Sequence, residues 1–322
     1  MRIGTIGTGV IVKAFIEAAQ LVEGVAFVAS YSRNISKAEE FVALYQMETA
    51  YDNYEAMLES DIDTVYIASP NSLHTTQALQ AIDYGKNVIV EKPFAGTLKA
   101  AQEVYDKAIE KGVYVFEAIC NIHMPHMLTI EDLLPELGPL KIVQANYSQY
   151  SSRYDQLKEG VITNVFDPNF SGGALADINI YNLHFITKLF GRPKTIDYKA
   201  NQHDNGIDTS GILILDYDDF IVESVGAKDS FSYNFVQIQG ENGTLHIPNG
   251  SNGLEKVIHM DKDGDTEYNI QDKPRLYYQM ETFQTILNQK NYDIMVENLK
   301  HSLMVVELAE EARKTIGLNF IK

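Results

Sequence analysis

The chain has 322 residues, 45% of them hydrophobic and 22% charged, and a formal net charge of −18. That length supplies material for about two domains with sizeable cores, while the acidity repels nucleic acid and anionic lipid. No apolar run approaches the roughly 20 residues that cross a bilayer, the first residues resemble a strand rather than a signal peptide, and the single cysteine, Cys120, excludes an internal disulfide and fits a reducing cytoplasm.

Strand and helix signals alternate from the start to about residue 118. Candidate strands are Arg2–Ile6, Val25–Ser30, Thr49–Tyr51, Thr64–Ala68, Asn87–Val90 and Tyr114–Ala118. Candidate helices are Val12–Leu21, Lys37–Tyr45, Tyr54–Leu58, Leu73–Tyr84 and Leu98–Lys111, with Ser36 and Thr97 as N-caps and Gly85 and Gly112 as stops. Such alternation gives βαβ units, right-handed crossovers and a doubly wound parallel sheet. The domain expected here is a dinucleotide-binding Rossmann domain, residues 1–118.

In a sheet of this kind ligands bind beyond the carboxyl ends of the strands, so the residues at those ends are the candidates. Gly7-Thr8-Gly9 follows the first strand and opens the first helix, where glycine backbone and the helix N-terminus, through Val10 and Ile11, suit a pyrophosphate. Val12 replaces the third glycine of G-x-G-x-x-G, a position that serves packing. The second strand ends in Ser32-Arg33 with no acid, which leans towards the 2′-phosphate of NADP over NAD; a solvated Arg33 is the plainer alternative. The fourth ends in Ser69-Pro70-Asn71 with His74 close behind, polar groups fit to line the nicotinamide side. The fifth, Val88-Ile89-Val90, runs into Glu91-Lys92-Pro93, where a Lys–Pro bond could be cis.

These pieces, in this order, resemble the glucose–fructose oxidoreductase, inositol dehydrogenase and rhizopine-catabolism (Gfo/Idh/MocA) family of NAD(P)-dependent oxidoreductases, including its dimeric dihydrodiol dehydrogenase branch. The resemblance rests on Ile6-Gly7-Thr8-Gly9, Ala68-Ser69-Pro70-Asn71 with His74, Glu91-Lys92-Pro93, Glu117-Ala118, and Gly172-Gly173-Ala174-Leu175 through Asp177, Tyr181 and Leu189-Phe190-Gly191. It covers nearly the whole chain. It implies that the first domain binds the dinucleotide and that Lys92 is the active-site lysine. Many members carry His at the position of Tyr181; the dihydrodiol dehydrogenase branch carries Tyr, as here. The family often has an Arg near Ile122, and that departure leaves the substrate open.

Residues 119–322 are expected to form an α+β domain on an open, mainly antiparallel sheet, serving substrate binding and oligomerisation as a homodimer or homotetramer. Thr129–Leu137 reads as a helix, Lys141–Tyr150 as a strand and 151–170 as a long polar, aromatic loop over the cleft, with Arg153 a candidate for the substrate. A helix opens at Gly172-Gly173 and runs to about Phe190, largely buried. Asp177, Tyr181, His184 and Lys188 share one stripe of it, which by pattern alone could equally face solvent. Strands at 212–217, 220–225, 235–239, 244–247 and 256–260 are separated by hairpin signals, and helices at 277–288 and 296–316 close the chain.

Hydride transfer leaves the protein to hold the substrate carbon and move one proton. Tyr181 is the expected acid/base, its phenol, ordinarily near 10, lowered by a lysine ammonium for which Lys92 is the candidate. Asp177 would orient Lys92 or the substrate, and His123 and His184 would line the substrate pocket. His123-x-x-His126 is no metal pair, because Pro125 breaks the spacing. The expected activity is oxidation or reduction of a sugar, polyol or similar molecule. The alternatives are a non-catalytic dinucleotide-sensing regulator and an enzyme that retains its cofactor between two substrates.

Overall fold

The computed structural model describes residues 1–320. Two compact units emerge: Met1–Ala118 together with Pro274–Leu303, and Ile119–Lys273 together with the segment from Met304. Pro274–Leu303 thus packs in the first unit, although a boundary after residue 118 put it in the second. The reason is local burial: Phe283 stacks on Phe116 with ring centroids 4.5 Å apart, and the Tyr292 hydroxyl donates to Ala108 O at 3.0 Å.

The first unit runs β1 (Arg2–Ile6), α1 (Val10–Ala19), β2 (Ala26–Tyr31), α2 (Ile35–Tyr45), β3 (Thr49–Tyr51), α3 (Tyr54–Leu58), β4 (Thr64–Ile67), α4 (His74–Asp83), β5 (Asn87–Glu91), α5 (Leu98–Lys111) and β6 (Val115–Ala118). The sheet order is β3-β2-β1-β4-β5-β6 and every pairing is parallel. Ile3, Val65, Ile67, Val88 and Ile89 are fully buried, as strands covered on both faces require. The order reverses between β1 and β4, the position where doubly wound sheets open a crevice. Thr97 caps α5 as expected, but α2 is capped by Asn34, whose side chain accepts from Ser36 N–H at 3.1 Å.

In the second unit a 3₁₀ turn over Cys120–His123 precedes α6 (Pro125–Leu133), which starts four residues earlier than the sequence suggests because Pro125 fits the first helical turn. A 3₁₀ turn over Leu134–Leu137 leads to β7 (Leu140–Ser148). The segment read as a plain loop holds a short helix, α7 (Ser152–Lys158), capped by the Ser151 side chain accepting from Arg153 N–H. The Gly172-Gly173 helix is real but opens as a π turn over Leu175–Asn179 before α8 (Ile180–Phe190). Then come β8 (Thr195–Gln202), β9 (Asp208–Asp216), β10 (Ile221–Ala227), β11 (Phe235–Gly240), β12 (Gly243–Pro248), α9 (Gly250–Gly253), β13 (Val257–Asp261) and β14 (Gly264–Tyr268). The chain closes with α10 (Arg275–Asn288) and α11 (Tyr292–Thr315).

The eight strands are ordered β14-β13-β12-β11-β7-β10-β9-β8, antiparallel except for the β7–β10 pair. Apolar side chains of the sheet's central strands divide between its two faces. Val143, Leu213, Leu215, Val222, Val236 and Ile238 are fully buried, while Ile142, Ile212, Ile214 and Ile221 on the other face are exposed.

One buried carboxylate fixes how α8 begins. Asp208 Oδ2 accepts from Leu175 N–H at 2.7 Å and from the Tyr198 hydroxyl at 2.8 Å, serving an orphan donor of the first helical turn. Burial raises the Asp208 carboxyl above the ordinary carboxylate range, against these hydrogen bonds. Gly173 makes the approach possible: its φ is 102°, and a Cβ there would overlap Asp208 Oδ1. Gly173→Ala therefore combines backbone strain with a clash, and we expect it to cost at least about 2 kcal/mol in urea unfolding; an unchanged midpoint would refute this account of the turn.

Candidate active site

Because the six strands run one way, the turns after β1, β2, β4 and β5 all lie at one edge of the first unit. Gly7 sits there with φ 103°, and a Cβ on it would lie 2.8 Å from Ala68 O, so only glycine lets the β1 and β4 turns meet. Gly9 is the extended N-cap of α1, with nothing within 4 Å of where its Cβ would stand. Val10 is 85% exposed and Ile11 half-buried, whereas Val12 is fully buried, in keeping with a packing role. This glycine cradle at an open helix N-terminus fits a pyrophosphate. At the end of β2, Ser32 donates its N–H to Tyr51 O at 3.0 Å and accepts at Oγ from Asn34 N–H, which leaves Arg33 exposed.

The turn after β4 is tied to the turn after β5. His74 is buried, with Nδ1 3.1 Å from Pro93 O and Nε2 3.0 Å from Ser69 O. Both neighbours are acceptors, so the neutral ring donates to one of them at a time. Burial lowers the His74 pKa against the pull of those carbonyls and of Glu117. Ser69 Oγ donates to Gln77 at 2.6 Å, and Pro70 and Asn71 are half-buried beside it. Glu91 is buried and accepts from the Tyr66 hydroxyl at 2.6 Å; burial raises its pKa, while Tyr66, Lys92 and Arg275 oppose the rise. Glu117 accepts from Phe94 N–H at 2.9 Å. Lys92 follows on a cis peptide to Pro93 and is half-buried.

In the second unit, the predicted stripe divides. Asp177 is partly exposed, Tyr181 and His184 are buried, and Lys188 is exposed. Tyr181 is held by its backbone, its carbonyl accepting from Asn121 Nδ2 at 2.8 Å, and its ring meets Tyr147 edge-on at 5.7 Å. Half-buried His123 is pushed down to about 3, first by burial and then by Lys188 and His184, so it is neutral at physiological pH. Arg153 is exposed on α7. His126 accepts at Nε2 from Ile270 N–H at 3.0 Å, which leaves its Nδ1 to donate to Leu254 O. The residue that sequence reading missed is Lys228, just past β10, whose Nζ pairs with Asp177 Oδ2.

A family model described as an oxidoreductase family with an NAD-binding Rossmann fold matches residues 1–119, and the Gfo/Idh/MocA C-terminal domain matches residues 135–246. The chain belongs to the Gfo/Idh/MocA family. Among relatives of this Gfo/Idh/MocA protein, scyllo-inositol 2-dehydrogenase (NADP(+)) IolU of Bacillus subtilis is 37% identical over 324 residues, 99% of this chain and 98% of that one. Mouse trans-1,2-dihydrobenzene-1,2-diol dehydrogenase is 26% identical, over 91% and 89% of the two chains. The crystal structure of the 3-ketoreductase KijD10 from Actinomadura kijaniata, in complex with NADP and TDP-benzene, superposes with a TM-score of 0.85 at 21% identity, covering 98% and 97%, and shares the fold. The protein is an NAD(P)-dependent dehydrogenase or reductase.

The His74 tether gives a pH-dependent signature. Its folded pKa lies below the unfolded value of 6.5. Under acid the unfolded chain takes up a proton that the folded chain refuses, so stability falls as pH drops below about 6.5. His74→Leu should cost about 1–3 kcal/mol at pH 7, because Ser69 O and Pro93 O lose their donor. The variant should then lose less between pH 7 and 5 than the parent does. Urea titrations of both proteins at the two pH values measure it, and equal losses would refute the tether.

Proposed function

We propose that the protein is an NADP-preferring oxidoreductase acting on the CH–OH or carbonyl carbon of a cyclic polyol, sugar or similar small molecule. The observation that carries this reading is the likeness, over 99% of the chain, to a relative named an NADP(+)-dependent scyllo-inositol 2-dehydrogenase. Exposed Arg33 at the end of β2, with no acid beside it, supports the choice of NADP. The proposed division of labour gives dinucleotide binding to the unit built on residues 1–118, and substrate binding and oligomerisation to the unit built on Ile119–Lys273, with Pro274–Leu303 serving the first unit.

The residues proposed to hold the cofactor are the backbone of Gly7, Thr8, Gly9, Val10 and Ile11 for the pyrophosphate and Ser32 and Arg33 for the ribose phosphate. Ser69, Pro70, Asn71, His74, Glu91 and Lys92 shape the nicotinamide end. The bound nicotinamide supplies the two-electron redox chemistry. The chain's own task is positional and protonic. Tyr181 exchanges the proton of the reacting oxygen, Lys92 shares in that transfer, and Asp177 accepts a hydrogen bond that orients the substrate. His123, His184 and Arg153 are proposed for the substrate side. A neutral His123 offers a hydrogen bond rather than a charge, which suits an uncharged polyol. We place the protein in the cytoplasm as a homodimer or homotetramer. Ile142, Ile212, Ile214 and Ile221, exposed together on one sheet face, support self-association.

Lys92→Met and Tyr181→Phe should each lower kcat about 10²–10⁴-fold while NADP⁺ still binds; steady-state kinetics on inositol isomers with dinucleotide titrations check it, and near-normal turnover in either variant refutes that residue's role. Arg33→Ala should raise the Kd for NADP⁺ about ten- to a hundredfold and leave NAD⁺ little changed. An equal effect on both dinucleotides would remove Arg33 from the phosphate.

A further inference from the structure

Lys228 is a buried residue of the second unit whose charge the proposed function leaves unused. It stands immediately after β10, and its side chain is 8% exposed against 31% for its partner Asp177. A cation so deeply buried is costly unless it is paired. Its backbone cannot drift: Lys228 N–H donates to Thr209 O at 2.9 Å, and Lys228 O accepts from Ser151 N–H at 2.9 Å. Asp229, next in the chain, turns instead to the hydroxyls of Thr209 and Ser210.

Asp177 is fixed from the other side. It lies in the π turn, its N–H donating to Gly173 O at 3.0 Å. Two residues on, Asn179 is bolted to β10. It accepts from Ser224 Oγ at 2.6 Å and donates to Ser224 O at 3.3 Å, with its Cβ against Gly226. The elements that carry the carboxylate and the ammonium are therefore locked to each other, and the geometry of the pair follows from that register.

We propose that Lys228 is a positioning residue for Asp177: its buried ammonium holds the carboxylate in one orientation as an anion, so that Asp177 presents hydrogen-bond acceptors to substrate hydroxyls and carries no proton in the reaction. The exposures decide which partner meets the substrate. The ammonium is closed off and the carboxylate keeps an open side, a pairing suited to neutral, hydroxyl-rich molecules. This inference rests on the reading that Asp177 faces the substrate.

The test uses the full chain with NADP⁺, labelled with ¹³C at aspartate carboxyls, the Asp177 signal being assigned by its loss in Asp177→Asn. In Lys228→Met the Asp177 titration midpoint should rise by about 1–3 pH units, as expected when a contacting cation is removed, and Lys228→Arg should restore most of the shift. An unchanged midpoint in Lys228→Met overturns the inference whatever the substrate. Kinetics on scyllo-inositol then test the reading beneath it. Lys228→Met should raise KM at least tenfold with a smaller change in kcat, and Lys228→Met/Asp177→Asn should be no worse than Asp177→Asn alone. A moved midpoint with normal kcat/KM in Asp177→Asn would overturn the substrate-facing role of Asp177 instead, and additive losses in the double variant would reduce Lys228 to a structural contact.

Discussion

The common direction of the six strands in the first unit is the constraint on which the dinucleotide half depends. Helical crossovers return the chain to the same end of the sheet each time, so turns far apart in sequence, at Gly7, Ser32, Ser69 and Lys92, finish at one edge. A sheet alone would leave those turns free to move. Here they are cross-tied, the β1 turn pressed against Ala68 O through Gly7, the β2 turn bonded to Tyr51 O, and the β4 and β5 turns held by the His74 ring. The edge is therefore held by the protein's own contacts, and an edge so held lowers the ordering cost of binding.

The second unit solves a different problem, the burial of polar groups beside a helix that is otherwise apolar. Asn179 accepts from Asn182 Nδ2 and Ser224 Oγ, Asn182 donates to Val225 O, and Ser251 donates to Asn182 Oδ1 at 2.6 Å. Each bond adds only about 1 kcal/mol net, but leaving one partner unsatisfied costs about 1–3 kcal/mol. The network therefore contributes less to stability than to register: a slipped helix would strand several groups at once. With Asp208 holding the helix start, the π turn that bears Asp177 is pinned at both ends.

How much of this can be read from the sequence depends on whether the signal is local. The β-branched runs of β1, β4 and β5, the glycine turn and the Glu91-Lys92-Pro93 corner announce themselves, because apolar strands bounded by breakers have few other readings. The polar β8 and β14 do not. They stand at the two ends of the eight-stranded sheet, where exposed faces carry no alternating pattern to detect. The return of α10 to the first unit is a long-range event with no local mark. The π turn is invisible for a different reason: a single widened turn leaves the hydrophobic pattern of the helix almost intact. Lys228 escapes because a lysine after a strand ordinarily reads as solvated, whereas Lys92 stands in the Glu-Lys-Pro corner that marks it. Only burial sets Lys228 apart from a solvated lysine.

A chain carrying −18 that binds a multiply anionic dinucleotide looks contradictory until the range of the forces is considered. At physiological salt, charges on exposed side chains are screened beyond about 8 Å, so most of the acidic surface is not felt at the cofactor edge. The groups proposed to act there are short-range: the open N-terminus of α1, the backbone of the Gly7–Gly9 turn, and the guanidinium of Arg33. In the second unit, the Lys228 ammonium pairs with the Asp177 carboxylate inside the protein, where the Coulomb attraction is strong. On the proposed reading of Asp177 as a substrate contact, a carboxylate paired in this way has little attraction for cations and offers acceptors to hydroxyls. The acidity of the surface and the neutrality of the expected substrate are therefore compatible, because they are governed by charges at different distances.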